Sequence, residues 1–369
     1  MYFPQLTFPR FIAAFIVLLT HFANIKEVLA VPAIGNILRY ANTLLSFFFV
    51  LTGFVLILSI KRDGRMPSAL PTKLLLFSRL IRLLPLHWLA LVLMLLIQQL
   101  KLMYGSGNAA PIEGSKVFLH ALLLQAWYPE VSVMFLYNYV SWTLCVEILL
   151  IVLAPWLYGW MLKQPTTVLL RNVTLIWLGS LLVHRICIQL GMPLDWGFCW
   201  PPIHIPEFMA GMGGGFLVSR HLPALNERAK WIHLFAYLNG ALMIGLLCAD
   251  IPYLFKNSLV FAPSYLIILI SIVLSDNWLT RLFCTKPMMY LGKISYAVYI
   301  LQLPVAVLIL EWVHHRINWP YRYSALVFIL LLTAVAAMAY EWLEKPIANY
   351  AKARMMRPVV APAESSVVA

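Results

Sequence analysis

Apolar positions in this chain come in long unbroken runs, separated by short polar loops. Ten of the runs are long enough to cross a hydrocarbon core about 30 Å thick. They cover residues 9–28, 41–60, 83–100, 141–161, 172–190, 203–219, 231–249, 258–275, 294–313 and 324–343. The pattern predicts an all-α, polytopic integral membrane protein with about ten transmembrane helices. Two runs carry internal polar residues: Lys26 and Glu27 in the first, Glu207 and the stretch Gly211 to Gly215 in the sixth. A ten-span arrangement puts both termini on one side, and most of the 27 Lys and Arg residues fall there. By the positive-inside rule that side is the cytoplasm. The first run lacks a small-residue cleavage site and reads as a retained helix.

Residues 101–140 form the longest outer segment, in which Val117 to Trp127 is apolar but too short to span and reads as an interfacial or re-entrant helix. Residues 1–357 read as one transmembrane domain. The remainder, 358–369, is small, Pro-containing and aperiodic, and is expected to be a disordered cytoplasmic tail.

Composition narrows the class. With 62% hydrophobic and 11% charged residues and a mean hydropathy of +0.85, the chain cannot clothe a soluble domain. The net charge of +13 sits in short loops between apolar runs, which argues against nucleic acid as a partner and for membrane lipids. Five cysteines without C-x-x-C spacing indicate neither a zinc site nor a disulfide framework, and read as small buried hydrophobes. No H-E-x-x-H, G-x-S-x-G or P-loop pattern is present, so no metal site and no resident cofactor is expected.

Candidate chemistry lies in a few polar residues inside apolar runs. In LTFPRFIAAFIVLLTHFAN, Arg10 and His21 are eleven residues apart. On an α-helix that separation is about 16 Å of rise and three turns plus roughly 20°, so both lie on one face. Arg79 and Arg82 share a face at i and i+3. Their guanidiniums suit a phosphate-bearing ligand, or else are ordinary positive-inside flanks; Arg10 would complete a three-arginine cluster. Glu147 is a carboxylate within the fourth run at the depth of His21. Together they suit either a general base held in one tautomer or an ion pair that fixes packing. Elsewhere, His184 and Arg185 read as snorkelling, and His87 as lining a cavity. His314 and His315 read as solvated. Glu207, Glu341 and Glu344 read as binding a partner or as capping or pairing locally.

Seven segments in this order resemble the membrane-bound acyltransferase-3 family. They are LTFPRFIAAFIVLLTHF, FFFVLTGFVL, SRLIRLLPLHWLAL, LLLQAWY with WTLCVEILL, EFMAGMGGG, LGKISYAVYILQLPV and YEWLEKPI. The chain departs from the family pattern at Thr7 and Phe8, where many members have Asp-Gly. It departs again at Thr143 and Cys145, where Ser is usual, and at Gln302, where a His often precedes the proline. None of these removes Arg10, His21, Arg79, Arg82 or Glu147.

The resemblance implies an acyl-CoA-dependent O-acyltransferase in a bacterial inner membrane, lacking the C-terminal esterase-like domain of some members. It would move an acyl group, acetyl above all, to a hydroxyl of an envelope glycan or lipid-linked sugar. Arg10, Arg79 and Arg82 would hold the donor's phosphates, and His21, oriented by Glu147, would act as base or as nucleophile. The alternative reading is a transporter or flippase of a lipid-linked sugar, for which ten spans with intramembrane charges would also serve.

Overall fold

A computed structural model describes residues 3–22, 35–36, 40, 43–61, 65–104, 111–193, 198–249, 258–309 and 321–355. The fold is all-α over these residues, and the described part of each expected run falls on a helix. In chain order these are α1 (Phe8–Phe22), α2 (Leu44–Ile60), α3 (Thr72–Met103) and the short α4 (Gly114–Ala121). Next come α5 (Trp142–Leu162), α6 (Thr166–Gln189), α7 (Ile205–Glu227) and α8 (Ala229–Cys248). The last four are α9 (Ala262–Leu274), α10 (Lys286–Ala306), α11 (Tyr321–Ala339) and α12 (Lys345–Met355). Six helical stretches are long and apolar enough to cross a membrane, and α1, α2 and α9 lie in shorter apolar ones. The protein is therefore a multi-pass membrane protein. The expected tail, 358–369, the outer end of the first run with Lys26 and Glu27, and His314 and His315 lie outside the described residues.

The sixth run, α7, is not among the apolar spans, yet it is the most enclosed helix. Pro206 to Phe216 are all buried. Its glycines explain how a helix with so little side-chain volume holds the centre. A Cβ on Gly211 would stand 1.9 Å from the Val50 carbonyl oxygen of α2, and one on Gly53 of α2 would stand 2.2 Å from that of Phe208. At Gly215 the added atom would meet the Ile57 Cβ at 2.7 Å. The two backbones thus touch directly, as small residues permit where no hydrophobic effect drives helices together. A second close approach fixes α1 on α10, where a Cβ on Gly292 would fall 2.4 Å from the Thr7 carbonyl oxygen.

Two elements differ from the reading of the sequence. Helix α3 begins at Thr72, well before the apolar run, because its first turns (TKLLLFSR) are polar enough to fail a hydropathy window while remaining good helix formers. Arg79 and Arg82 accordingly sit in the body of a helix. Val117 to Trp127, expected as one helix, is broken. Helix α4 ends at Ala121, Leu123 adopts a left-handed φ of 56°, and Gln125–Trp127 form a 3-10 turn. That reversal carries Leu123, Gln125 and Ala126 into the interior.

The segment is tied to α3 by the His87 ring, whose Nε2 lies 2.9 Å from the His120 carbonyl oxygen, and by the Trp88 Nε1, which donates to that of Ala121 at 2.9 Å. Two further turns, Val131–Met134 and Tyr139–Ser141, lead into α5.

Between α11 and α12 the chain makes a π-helical turn, Tyr340–Glu344. The extra residue per turn rotates the remainder of the helix about its axis, and Glu344 comes to face inward, 4% exposed.

The α2–α7 contact predicts a sharp contrast. Gly211→Ala and Gly53→Ala each destabilise the detergent-solubilised protein by about 1–3 kcal/mol, as overpacking does. Gly159→Ala, where a methyl meets nothing within 4 Å, leaves the melting temperature unchanged or raised. Thermal unfolding of the three variants checks this.

Candidate active site

Helices α1, α2, α3, α5 and α10 enclose a cavity of about 110 Å³, open at its mouth, whose polar lining includes Arg10, Arg79, Arg82, Thr143, Glu147, Tyr296 and Tyr299. Helical spacing aligns these groups. Arg79 and Arg82 are i and i+3 on α3, Thr143 and Glu147 are i and i+4 on α5, and Tyr296 and Tyr299 are i and i+3 on α10.

Within the cavity the Arg79 Nη1 lies 3.6 Å from the Glu147 Oε1, both side chains about one quarter exposed. The Arg82 Nε donates to the Glu344 Oε1 at 3.0 Å, and that bond uses only one of the guanidinium's five N–H groups. Arg10, Arg79 and Arg82 thus converge with Glu147 on one space, Glu344 holds Arg82 from outside the lining, and most of the remaining wall is apolar. Such a site favours a multiply charged anion with an apolar or extended portion. Tyr296 donates its hydroxyl to the Leu83 carbonyl oxygen at 2.6 Å, which holds α10 against α3. Tyr299 donates to that of Val140 at 3.2 Å.

Of the residues singled out in the sequence, Arg10, Arg79, Arg82 and Glu147 all line this cavity. His21 is the penultimate residue of α1, about three turns beyond Arg10. Its side chain, and with it the pairing with Glu147, lies outside the described residues; the described ionic contact of Glu147 is with Arg79. His87 does not line the cavity, being buried with its Nε2 engaged on the outer segment. Of the pair expected to snorkel, Arg185 is exposed while His184 is buried, because α6 turns that side of its last turns towards the protein. Glu341 and Glu207 pair locally, with Lys345 and His204. Cys284 is exposed, unlike the buried Cys145 and Cys199.

Sequence reasoning missed three features. Tyr296 and Tyr299 were camouflaged, since tyrosine is unremarkable near membrane interfaces; their i, i+3 spacing beside Ser295 was the available signal. The pairing of Glu344 with Arg82 depends on the π turn, which no periodicity announces. The third is a buried His204–Glu207 pair, with Nδ1 to Oε2 at 2.8 Å and the other ring nitrogen 2.8 Å from the Phe198 carbonyl oxygen. A carbonyl only accepts, so Nε2 carries a proton. A single further proton is then shared between the imidazole and the carboxylate.

A family model described as an acyltransferase domain matches residues 4–340. Acyltransferase MdmB of Streptomyces mycarofaciens is 28% identical over 228 residues, which cover 57% of this chain and 56% of that relative. The chain thus aligns with little more than half of the relative's length. No solved structure matches.

The asymmetric exposure of the Arg82–Glu344 pair yields a test. Arg82→Met strands a carboxylate that is 4% exposed and destabilises by about 2 kcal/mol, reduced from the value for a fully buried pair because Arg82 is one-third exposed. Glu344→Gln leaves an arginine that can reach the open cavity and costs less. Melting temperatures of the two variants, compared with the double variant, measure the coupling.

Proposed function

Because the chain belongs to the acyltransferase-3 family and is a membrane acyltransferase by that membership, we propose that it transfers an acyl group, acetyl above all, from acyl-CoA to a hydroxyl of a cell-envelope carbohydrate. The observation that carries this reading is the convergence of Arg10, Arg79 and Arg82 on one cavity. The donor's phosphates bind at these arginines, and its pantetheine arm runs along α1 towards His21, about 16 Å away. In this scheme the protein crosses the inner membrane ten times with both termini in the cytoplasm, where CoA is available. It retains no cofactor and needs no metal.

His21 takes the proton from the acceptor hydroxyl as its oxygen attacks the thioester carbonyl. The carbon–sulfur bond breaks, and the proton passes to the departing CoA thiolate. The pairing of Glu147 with Arg79 gives the carboxylate a further part. Phosphate oxygens arriving at Arg79 compete with Glu147, which lies 3.6 Å from that guanidinium.

Acetyl-CoA is expected to raise the melting temperature of the purified protein. Arg79→Ala and Arg82→Ala should abolish that rise. His21→Ala should keep it yet lose transfer by about 100-fold or more, the scale of a general base. Retained transfer in a folded His21→Ala protein refutes the assignment of the base.

A further inference from the structure

Away from the arginine-lined cavity, helices α7 and α8 meet at a corner of a single residue. Helix α7 ends at Glu227 and α8 begins at Ala229. Between them the Arg228 carbonyl oxygen accepts from the N–H groups of Trp231 and Ile232, at 3.0 and 3.1 Å. Helix α7 also bends just before the corner, because Pro223 has no N–H to give to the preceding turn, and His221 leaves helical geometry at φ −126°. Helix α8 is fastened to α9 by polar contacts: the His233 Nδ1 lies 2.8 Å from the Ser271 Oγ, and the Ser264 hydroxyl donates to the Asn239 Oδ1 at 2.9 Å. Of the 20 residues of α8, only Ala236 and Leu247 are buried.

Between α7, α8 and α9 this leaves a groove of about 600 Å³, a size within the range of small-molecule sites. Leu225, Ile232, Phe235 and Ile267 supply apolar wall. Trp231 and Phe235, i and i+4 on α8, line it while remaining 74% and 58% exposed, so the groove is open to whatever surrounds the protein. Helix α8 qualifies as a membrane span over its whole length, which makes those surroundings hydrocarbon and sets the corner at the membrane surface.

Glu227 and Arg228 line the same groove at that corner. Both are exposed, and neither side chain has an ionic or hydrogen-bond partner among the described residues. A single exposed charge is an ordinary feature of a helix end. An acid beside a base, at the head of an otherwise apolar groove, is complementary to a dipolar head on an apolar tail. The carboxylate stands at the C-terminal end of α7 and the guanidinium at the N-terminal end of α8, so each helix dipole adds to the charge beside it.

We propose that this groove binds a phospholipid whose headgroup carries a primary amine, the phosphoethanolamine class. An acyl chain lies along the apolar walls, the phosphate accepts from Arg228, and the ammonium donates to Glu227. An anionic headgroup without an amine would bring its charge against Glu227, and a trimethylammonium headgroup has no N–H to donate. The bound lipid fills the space between α7 and α8 and braces α8. The groove shares no lining residue with the arginine-lined cavity, so the proposal stands apart from the acyltransferase reading.

Native mass spectrometry of the purified protein, titrated with dioleoyl phosphatidylethanolamine, phosphatidylcholine and phosphatidylglycerol, tests the site. One phosphatidylethanolamine should bind about tenfold more tightly than either of the others, and should raise the melting temperature. Glu227→Gln should lose the preference over phosphatidylglycerol, and Arg228→Gln should weaken phosphatidylethanolamine by about tenfold. Without lipid, both variants should melt as the unaltered protein does, since both side chains are exposed and unpartnered. Equal binding of the three lipids to the unaltered protein overturns the proposal and leaves an ordinary lipid annulus. So does a preference for phosphatidylethanolamine that persists in both variants, or a two-chain mass that carries no lipid, which gives the face to a second copy.

Discussion

Arg79 and Glu147 meet across the gap between α3 and α5, in a cavity whose wall is mostly apolar. Charge inside a bundle of membrane helices is costly unless it is paired or reaches a polar cavity. This constraint orders much of the rest: Arg82 is held by Glu344, and Glu344 faces inward only because a π turn rotates the end of the last long helix. The cavity and its charges are therefore one feature. Removing the space would strand the guanidiniums, and removing the carboxylates would take from Arg79 and Arg82 their described partners.

What keeps that space open is backbone contact elsewhere. Helices α2 and α7 touch through Gly53, Gly211 and Gly215, and α1 lies on α10 through Gly292. Dispersion between closely approached backbones, rather than burial from water, supplies cohesion in such a bundle. The phenylalanines of α2 are then free to divide between the α7 side and the cavity wall, where Phe48 and Phe49 line the space. His87 and Trp88 of α3 fasten the outer segment by its carbonyls, and Gln125 and Asn138 tie that segment to Ser141 and to the Ile300 carbonyl of α10.

Much of this was legible in the sequence because hydropathy and helical spacing are local properties. The helices could be read from runs of apolar residues, and the shared face of Arg79 and Arg82 from a separation of three. Glu147 stood out because a carboxylate in an apolar run has no bland environment. Partners were harder, since they depend on which helices adjoin. Depth matching suggested His21 for Glu147, whereas its described contact is with Arg79, one helix over. Glu344 and Gln302 were least legible of all. The role of the first comes from a single π turn, and the second spends its NH₂ on the Tyr299 carbonyl of its own helix.

The central claim is that this arginine-lined cavity holds the phosphate end of a CoA donor. Calorimetric titration of the purified protein with CoA and with pantetheine, which has the same arm but no phosphates, tests it most directly. Tighter binding of CoA by about 100-fold, a difference of roughly 2.7 kcal/mol, is expected, with the gap closing in Arg79→Ala/Arg82→Ala. Equal binding of the two ligands to the unmodified protein would contradict a phosphate site at these arginines.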